Sequence, residues 1–214
     1  MFVKYRMTPH PLTISPETPV AEALSFMRQN RVRRLPVVDK KGHLVGIVSE
    51  KDLLYASPSP ATSLSVYEIG YLLSRLRVEE IMKRDIITVT ADTLLEEAAR
   101  IMADNKIGSL PVVEGERLLG IITETDIFKT FLEMLGAREQ GLRLTLSVKD
   151  EPGTYSRLTS AIAAMKGDII AMGAIYGEDR TSAFLVLKVR WIEKEALVKA
   201  IEALGISIVD IREV

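Results

Sequence analysis

The 214-residue chain contains no cysteine, which excludes disulfides, thiolate zinc sites and a cysteine nucleophile. Histidine is reduced to His10 and His43, too few for a histidine-rich metal site and a thin basis for Ser–His catalysis. Neither charge dominates. The 28 basic and 29 acidic side chains give a formal net charge of −1, without the basic surplus of a nucleic-acid binder. No apolar run approaches the roughly 18 residues of a membrane span, and the opening MFVKYRMTPHPLTI lacks the apolar stretch of a secretory signal. These absences predict a cytoplasmic protein with no nucleic-acid and no membrane partner. What the chain does hold is core material. A hydrophobic fraction of 47% with 27% charged residues is that of a globular protein, and the length allows one large domain or two small ones.

An internal repeat organises the first two thirds. Residues 7–53 realign on 82–127 with an offset of 75, falling to 74 after a one-residue deletion. Met7 falls on Met82, Thr13 on Thr88, Glu22-Ala23 on Glu97-Ala98, Met27 on Met102 and Asn30 on Asn105. Leu35-Pro-Val-Val38 matches Leu110-Pro-Val-Val113, and Gly46, Glu50 and Asp52 match Gly120, Glu124 and Asp126. Each copy reads as a short extended piece (Leu12–Ile14; Ile86–Val89) and then a helix with apolar residues at i, i+3, i+4 and i+7. A strand (Leu35–Val38; Leu110–Val113), a tight turn, a second strand (Leu44–Ser49; Leu118–Thr123) and a closing helix from Glu50 or Glu124 complete it. Pro36 and Pro111 fall at strand starts, where proline is tolerated. Between the copies, Ser57–Ser63 reads as a loop and Val66–Arg77 as a helix.

The last third follows another pattern. Leu142, Leu144, Leu146 and Val148 alternate with polar residues, the period of a strand buried on one face. Asp150-Glu-Pro-Gly153 breaks it, and a helix carrying Leu158, Ala161, Ile162 and Met165 follows. Strands at Ile169–Tyr176 and Ala183–Arg190, joined by a turn at Gly177–Arg180, a second helix through Leu204 and a final strand at Ile206–Ile211 complete a βαββαβ order.

Leu-Pro-Val-Val in both copies, with Gly46-Ile-Val-Ser-Glu-Lys-Asp52 and Gly120-Ile-Ile-Thr-Glu-Thr-Asp126, resembles a pair of cystathionine-β-synthase (CBS) domains, a Bateman module. The βαββαβ tail, with Asp150-x-Pro152-Gly153 between its first strand and first helix, resembles an ACT domain. It departs from that family's pattern at Tyr155, commonly aliphatic, and at Asp168, frequently Asn. The layout as a whole is similar to the acetoin-utilisation AcuB family. The resemblance implies an α/β (α+β) fold with two tandem CBS repeats of βαββα order over 1–60 and 61–136, the second including a connecting helix. A ferredoxin-like ACT domain over 141–214 follows.

The candidate site residues come from the same motifs. Ser49 and Thr123 read as N-caps, with Asp52 and Asp126 as first-turn acids favoured by the helix dipole. A carboxylate also suits a ribose diol, because it accepts two hydrogen bonds at once. The resemblance implies that role for Asp52 and Asp126, with Ser49 and Thr123 on ribose or phosphate. Arg31, Arg33 and Arg34 stand where CBS domains often place phosphate-binding bases, and arginine suits phosphate through its planar fork of donors; the other reading is a solvated basic loop. The backbone at Thr13-Ile14 and Thr88-Val89 is implied to read the adenine edge. Asp150, Pro152 and Gly153 are the candidates for a small ligand of the ACT domain. His10 and His43 read as loop and turn residues. No G-x-G-x-x-G or Walker A motif and no nucleophile stands beside the acids. The resemblance therefore implies a non-catalytic regulatory protein, with no metal and no catalytic cofactor. It would sense AMP, ADP, ATP or S-adenosylmethionine, form a homodimer and signal to a regulated partner protein of unknown identity. A small hydrolase or transferase using Asp52 or Asp126, and a structural dimeric scaffold, are the other readings.

Overall fold

The computed structural model describes residues 1–56, 75–177 and 181–214. The loop read at Ser57–Ser63 and most of the helix read at Val66–Arg77 lie outside them, as do three residues of the turn after Gly177. The chain divides into Met1–Ile127 and Phe128–Val214. Among the described residues no helix is long and apolar enough to cross a membrane.

In the first unit, each repeat forms the expected elements. The first copy has α1 (Val20–Gln29), β2 (Arg34–Val38), β3 (Leu44–Ser49) and α2 (Glu50–Tyr55). The second has α3 (Leu95–Asn105), β4 (Ser109–Glu114), β5 (Arg117–Thr123) and α4 (Glu124–Met134), whose last turns pass into the second unit. The periodic faces bury Val20, Ala23 and Met27 in α1 and Leu95, Ala98 and Met102 in α3. Each β-hairpin is antiparallel, with its register shifting after Val37 or Val112. The extended pieces are shorter than the sequence pattern suggests. Only Ile14 and Val89 bridge, in parallel, to Val37 and Val112.

The segments ahead of the repeats are exchanged between them. A short 3-10 turn at Val3–Tyr5 and strand β1 (Thr8–Pro9) precede the first repeat in sequence, yet β1 pairs with β5 of the second. Val3 is fully buried with Leu95, Leu110 and Ile122. Its counterpart Val78 is fully buried with Val20, Leu35 and Leu53 of the first repeat. The backbone repeats the swap: Val3 N donates to Thr93 O and Val78 N to Thr18 O, each near 3 Å. The two motif glycines permit this. A Cβ at Gly46 would stand 2.3 Å from Met82 Sδ, and one at Gly120 2.6 Å from Met7 Sδ. Each methionine thus seats its lead segment on the other repeat's hairpin.

The second unit holds β6 (Leu142–Lys149), α5 (Thr154–Ala164), β7 (Asp168–Tyr176), β8 (Ser182–Arg190), α6 (Lys194–Ala203) and β9 (Ser207–Glu213). Its antiparallel sheet runs β7-β8-β6-β9, the ferredoxin-like arrangement. One face, with Leu144, Leu146, Leu185 and Leu187, buries against Leu158, Ile162, Leu197 and Ile201 of the helices. On the other face, buried Lys188 donates from Nζ to Gly136 O at 2.9 Å, satisfying a carbonyl just past the end of α4. Beyond it Ile175 and Phe184, register partners, remain exposed.

Candidate functional site

Each strand-to-helix junction of the first unit is built by its hydroxyl residue and the acid three places on. Ser49 caps α2: its Oγ accepts from Asp52 N at 3.2 Å, and Asp52 Oδ2 accepts from Ser49 N at 2.8 Å and from Ser49 Oγ at 2.5 Å. This is a full capping box. Asp126 Oδ2 likewise accepts from Thr123 N at 2.9 Å and from Thr123 Oγ1 at 2.7 Å. The capping reading is therefore realised in full at Ser49, and the second repeat shows the acid's half of the same arrangement. At Asp52 one carboxylate oxygen, Oδ2, carries both bonds and Oδ1 stands outside the box.

Two clefts open in this unit. The first, about 390 Å³, is lined by Ser49, Lys51 and Asp52 of one repeat together with Lys83, Ile86, Lys106 and Pro111 of the other. The second, about 500 Å³, is lined by Thr123, Glu124 and Thr125 together with Arg31, Arg33 and Pro36. Both volumes lie in the range of small-molecule sites. The hydroxyl end of one repeat thus faces the basic loop of the other. Apolar walls come from equivalent positions, Ile47 with Pro111 and Ile121 with Pro36.

The sequence-read candidates are only partly brought together. Ser49 and Asp52 line the first cleft, and Thr123, Arg33 and Arg34 the second. Asp126 is bonded to Thr123 but does not itself line the second cleft. Thr13, Ile14, Thr88 and Val89 do not line either cleft. Ile14 and Val89 bury their side chains in the repeat cores. Their N–H groups donate to Pro36 O and Pro111 O, and their carbonyls accept from Val38 N and Val113 N. Among the described residues, the main-chain groups of Thr13 and Thr88 carry no such bond. His10 lines the second cleft, whereas His43 sits in the β2–β3 turn beside Asp39 at 3.3 Å.

The basic side of the two clefts is more even than the repeat alignment suggests. The sequence sets three arginines against Lys106 alone. In the fold the first cleft gathers Lys51, Lys83 and Lys106, because the exchanged lead segment delivers Lys83. The side chains of Arg31, Arg33 and Arg34 pair with no described residue. Arg31 and Lys106, equivalent residues just past α1 and α3, have φ of +52° and +53°. A non-glycine residue there costs about 1–2 kcal/mol, and both positions hold a cleft-lining cation.

In the second unit Gly153, φ +87°, opens α5. Thr154 Oγ1 folds back on Lys149 O at 3.3 Å. Tyr155 Oη meets Tyr176 Oη at 3.5 Å. That hydrogen bond and partial burial push its phenol up to about 12. Asp168 accepts from Arg190 Nε at 2.7 Å, and the Arg190 guanidinium stacks 4.5 Å over Trp191. The departure from asparagine at 168 therefore has a structural partner. A cleft of about 870 Å³ lies at the far end of β6, lined by Gly141, Trp191, Glu193 and Glu213. Asp150, Pro152 and Gly153 take no part in it.

Comparison with known proteins accords with both units. The CBS domain matches residues 3–59 and 78–133, and the TTHA0829-like ACT domain matches residues 140–212. An uncharacterized protein of Methanocaldococcus jannaschii, MJ1404, is 36% identical over 131 residues, 60% of this chain and 31% of the relative. The chain thus spans about a third of that relative's length. Among solved structures, a putative acetoin utilization protein (AcuB) from Vibrio cholerae is similar with a TM-score of 0.54 and 33% identity. It covers 64% of this chain and 95% of its own. The CBS pair of protein MJ0100, solved with 5-methylthioadenosine and S-adenosyl-L-methionine, gives 0.52 and 28% over 65% and 98%. CBSX2, solved with AMP, gives 0.52 and 32% over 61% and 96%.

Proposed function

Because the chain belongs to the CBS-domain family and carries a TTHA0829-like ACT domain behind its CBS pair, we propose that it is a regulatory protein sensing an adenine nucleotide. The observation that carries this reading is the pair of two-sided clefts. Each joins a capped hydroxyl end, an apolar wall and a cluster of cations, the needs of ribose, adenine and phosphate in turn. AMP, ADP, ATP and S-adenosylmethionine are the candidate ligands. AMP in CBSX2 and S-adenosylmethionine in MJ0100 support that choice. Asp52 and Asp126 take the ribose diol. Arg33, Arg34 and the lysines take phosphate. The free main-chain groups at Thr13 and Thr88, which lie outside the cleft linings, take the adenine edge if the base reaches past the cleft walls. The protein performs no catalysis of its own and passes its state to a partner protein. The likeness to the Vibrio cholerae protein supports acetoin utilisation as the process under control.

The test is a thermal-shift panel of adenine nucleotides and amino acids on the whole chain. A ligand at 100 times its Kd is expected to add about 2.7 kcal/mol of stability. An amino acid that raises the melting point through Asp150–Gly153 assigns the ACT unit a ligand of its own. A panel without any shift returns the chain to the scaffold reading, and turnover of a nucleotide to the enzyme reading.

The ACT unit also supports self-association. Its sheet is covered by helices on one side and leaves Ile175 and Phe184 exposed, 65% and 51%, on the other. Such a face favours burial against a second copy. Light scattering is expected to give about twice the 23.8 kDa chain mass, and a steady monomer mass across micromolar concentrations overturns the dimer.

A further inference from the structure

Arg34 and Ser109 line both clefts. They are the same position of the two repeats, 75 residues apart, and they open β2 and β4. Ser109 is 5% exposed, and its Oγ has no hydrogen-bond partner. A buried hydroxyl is seldom left unpaired unless something else is meant to meet it. Both spaces beside Ser109 are clefts. The Arg34 guanidinium is likewise unpaired among the described residues. It lies over Gly108, where a Cβ would stand 2.7 Å from Arg34 Nη2 and 2.6 Å from Glu124 Oε2. A glycine at 108 keeps that space open to the guanidinium.

We propose that Arg34 and Ser109 form one phosphate-reading station shared by the two clefts, so that two phosphate-bearing nucleotides antagonise each other. The inference rests on the nucleotide reading above and adds its regulation. A guanidinium fork holds one phosphate in two parallel bonds, and the same fork cannot do so for a second phosphate in the other cleft. The second nucleotide keeps the cations private to its cleft, Lys51, Lys83 and Lys106 or Arg31 and Arg33. It loses Arg34 and faces the negative charge already bound. A nucleoside without phosphate makes no claim on the station and fills the second cleft freely. The coupling is reciprocal, whichever cleft fills first. The protein would then respond to the ratio of charged to uncharged adenine ligands rather than to a total.

The test compares AMP with adenosine by calorimetry on the whole chain. Ile47→Trp and Ile121→Trp each fill one cleft and give the single-cleft constants. For AMP, the product of the two stepwise association constants of the unmodified chain is expected at least about 10-fold below the product of the single-cleft association constants; for adenosine the two should agree within about 2-fold. Arg34→Ala should weaken AMP in each one-cleft variant and bring the AMP coupling close to that of adenosine. Ser109→Ala should weaken AMP without lowering the melting temperature, since it removes an unpaired group. If a tryptophan variant does not fold, methyl NMR of Met82 and Met7, the chain neighbours of Lys83 in the lining of the first cleft and Thr8 in that of the second, reads the clefts separately. The advantage of AMP over adenosine should then be at least about 10-fold smaller at the cleft that fills second, and vanish in Arg34→Ala. Equal advantages at both methyls, or AMP constants that multiply without a deficit, overturn the shared station while leaving nucleotide binding intact. Absence of any AMP binding overturns the nucleotide reading itself and the station with it.

Discussion

Asp52→Ala is expected to weaken AMP about 10- to 100-fold or more at the first cleft. Asp126→Ala is expected to do the same at the second, provided that Asp126, bonded to the cleft-lining Thr123 but outside the lining itself, reaches the diol there. The magnitude follows from the bonds lost. A hydrogen bond to a charged group contributes about 1.5–3 kcal/mol, and a ribose diol offers two donors to one carboxylate. The capping box adds to the effect. Ser49 N and Oγ both bind Oδ2 of Asp52, which fixes the side chain in place before a ligand arrives and lowers the ordering cost of binding. The same variant removes the acid's half of that box, so about 0.3–1 kcal/mol of stability should go with it. Asp52→Asn separates the two roles. Its amide oxygen still accepts from the Ser49 backbone, but it offers the diol no charge. Calorimetry with AMP and a thermal melt, run on the three variants, decide between them. Affinities unchanged throughout, with only a small fall in melting temperature, would leave Asp52 and Asp126 as caps and nothing more.

The order of elements was legible because period and punctuation are local. The apolar positions of α1 and α3 repeat at 3.6 residues, those of β6 at two, and Ser49 and Thr123 mark where strand gives way to helix. The capping geometry was legible for the same reason: it spans three residues. What could not be read is who faces whom. Val3 and Val78 carry no sign that each fills the core of the repeat it does not precede. The alignment puts Arg31, Arg33 and Arg34 in the same repeat as Asp52 but leaves open which cleft receives them. The fold sets Arg31 and Arg33 against Thr123. Lys83 escaped notice because it lies outside every motif, in a lead segment whose place is decided by a bridge between it and Ile47. Pro36 and Pro111 read as strand punctuation, and their exposure to the clefts depends on the same exchange. Residue types reveal which chemistry is present; the pairing of those residues across an approximate twofold relation is a tertiary property, set by how two incomplete cores complete each other.

That exchange makes the start of the chain a structural part of a repeat more than 80 residues away, and Val3→Asp is expected to show it. Val3 is fully buried among Leu95, Ala98, Met102, Leu110, Val112 and Ile122. A carboxylate there has no cation or donor to meet it, and an uncompensated buried charge costs about 3–5 kcal/mol. For a unit of this size that corresponds to a melting point lower by roughly 10–20 °C. The loss should fall on the second repeat first, because Val3 N and Lys4 N also bind Thr93 O and Ala91 O there. Both clefts draw residues from that repeat, so AMP binding should fail together with the fold. Phe2→Asp is the control: Phe2 is 39% exposed, and a surface change of that kind is expected to stay within about 0.5 kcal/mol. Circular dichroism melts of the two variants provide the comparison. A Val3→Asp protein that melts like the Phe2→Asp protein would mean that the second repeat closes its core without the lead segment. The twin substitution, Val78→Asp, should then damage the first repeat to the same degree as Val3→Asp damages the second, since Val78 fills the equivalent space among Val20, Leu35 and Leu53.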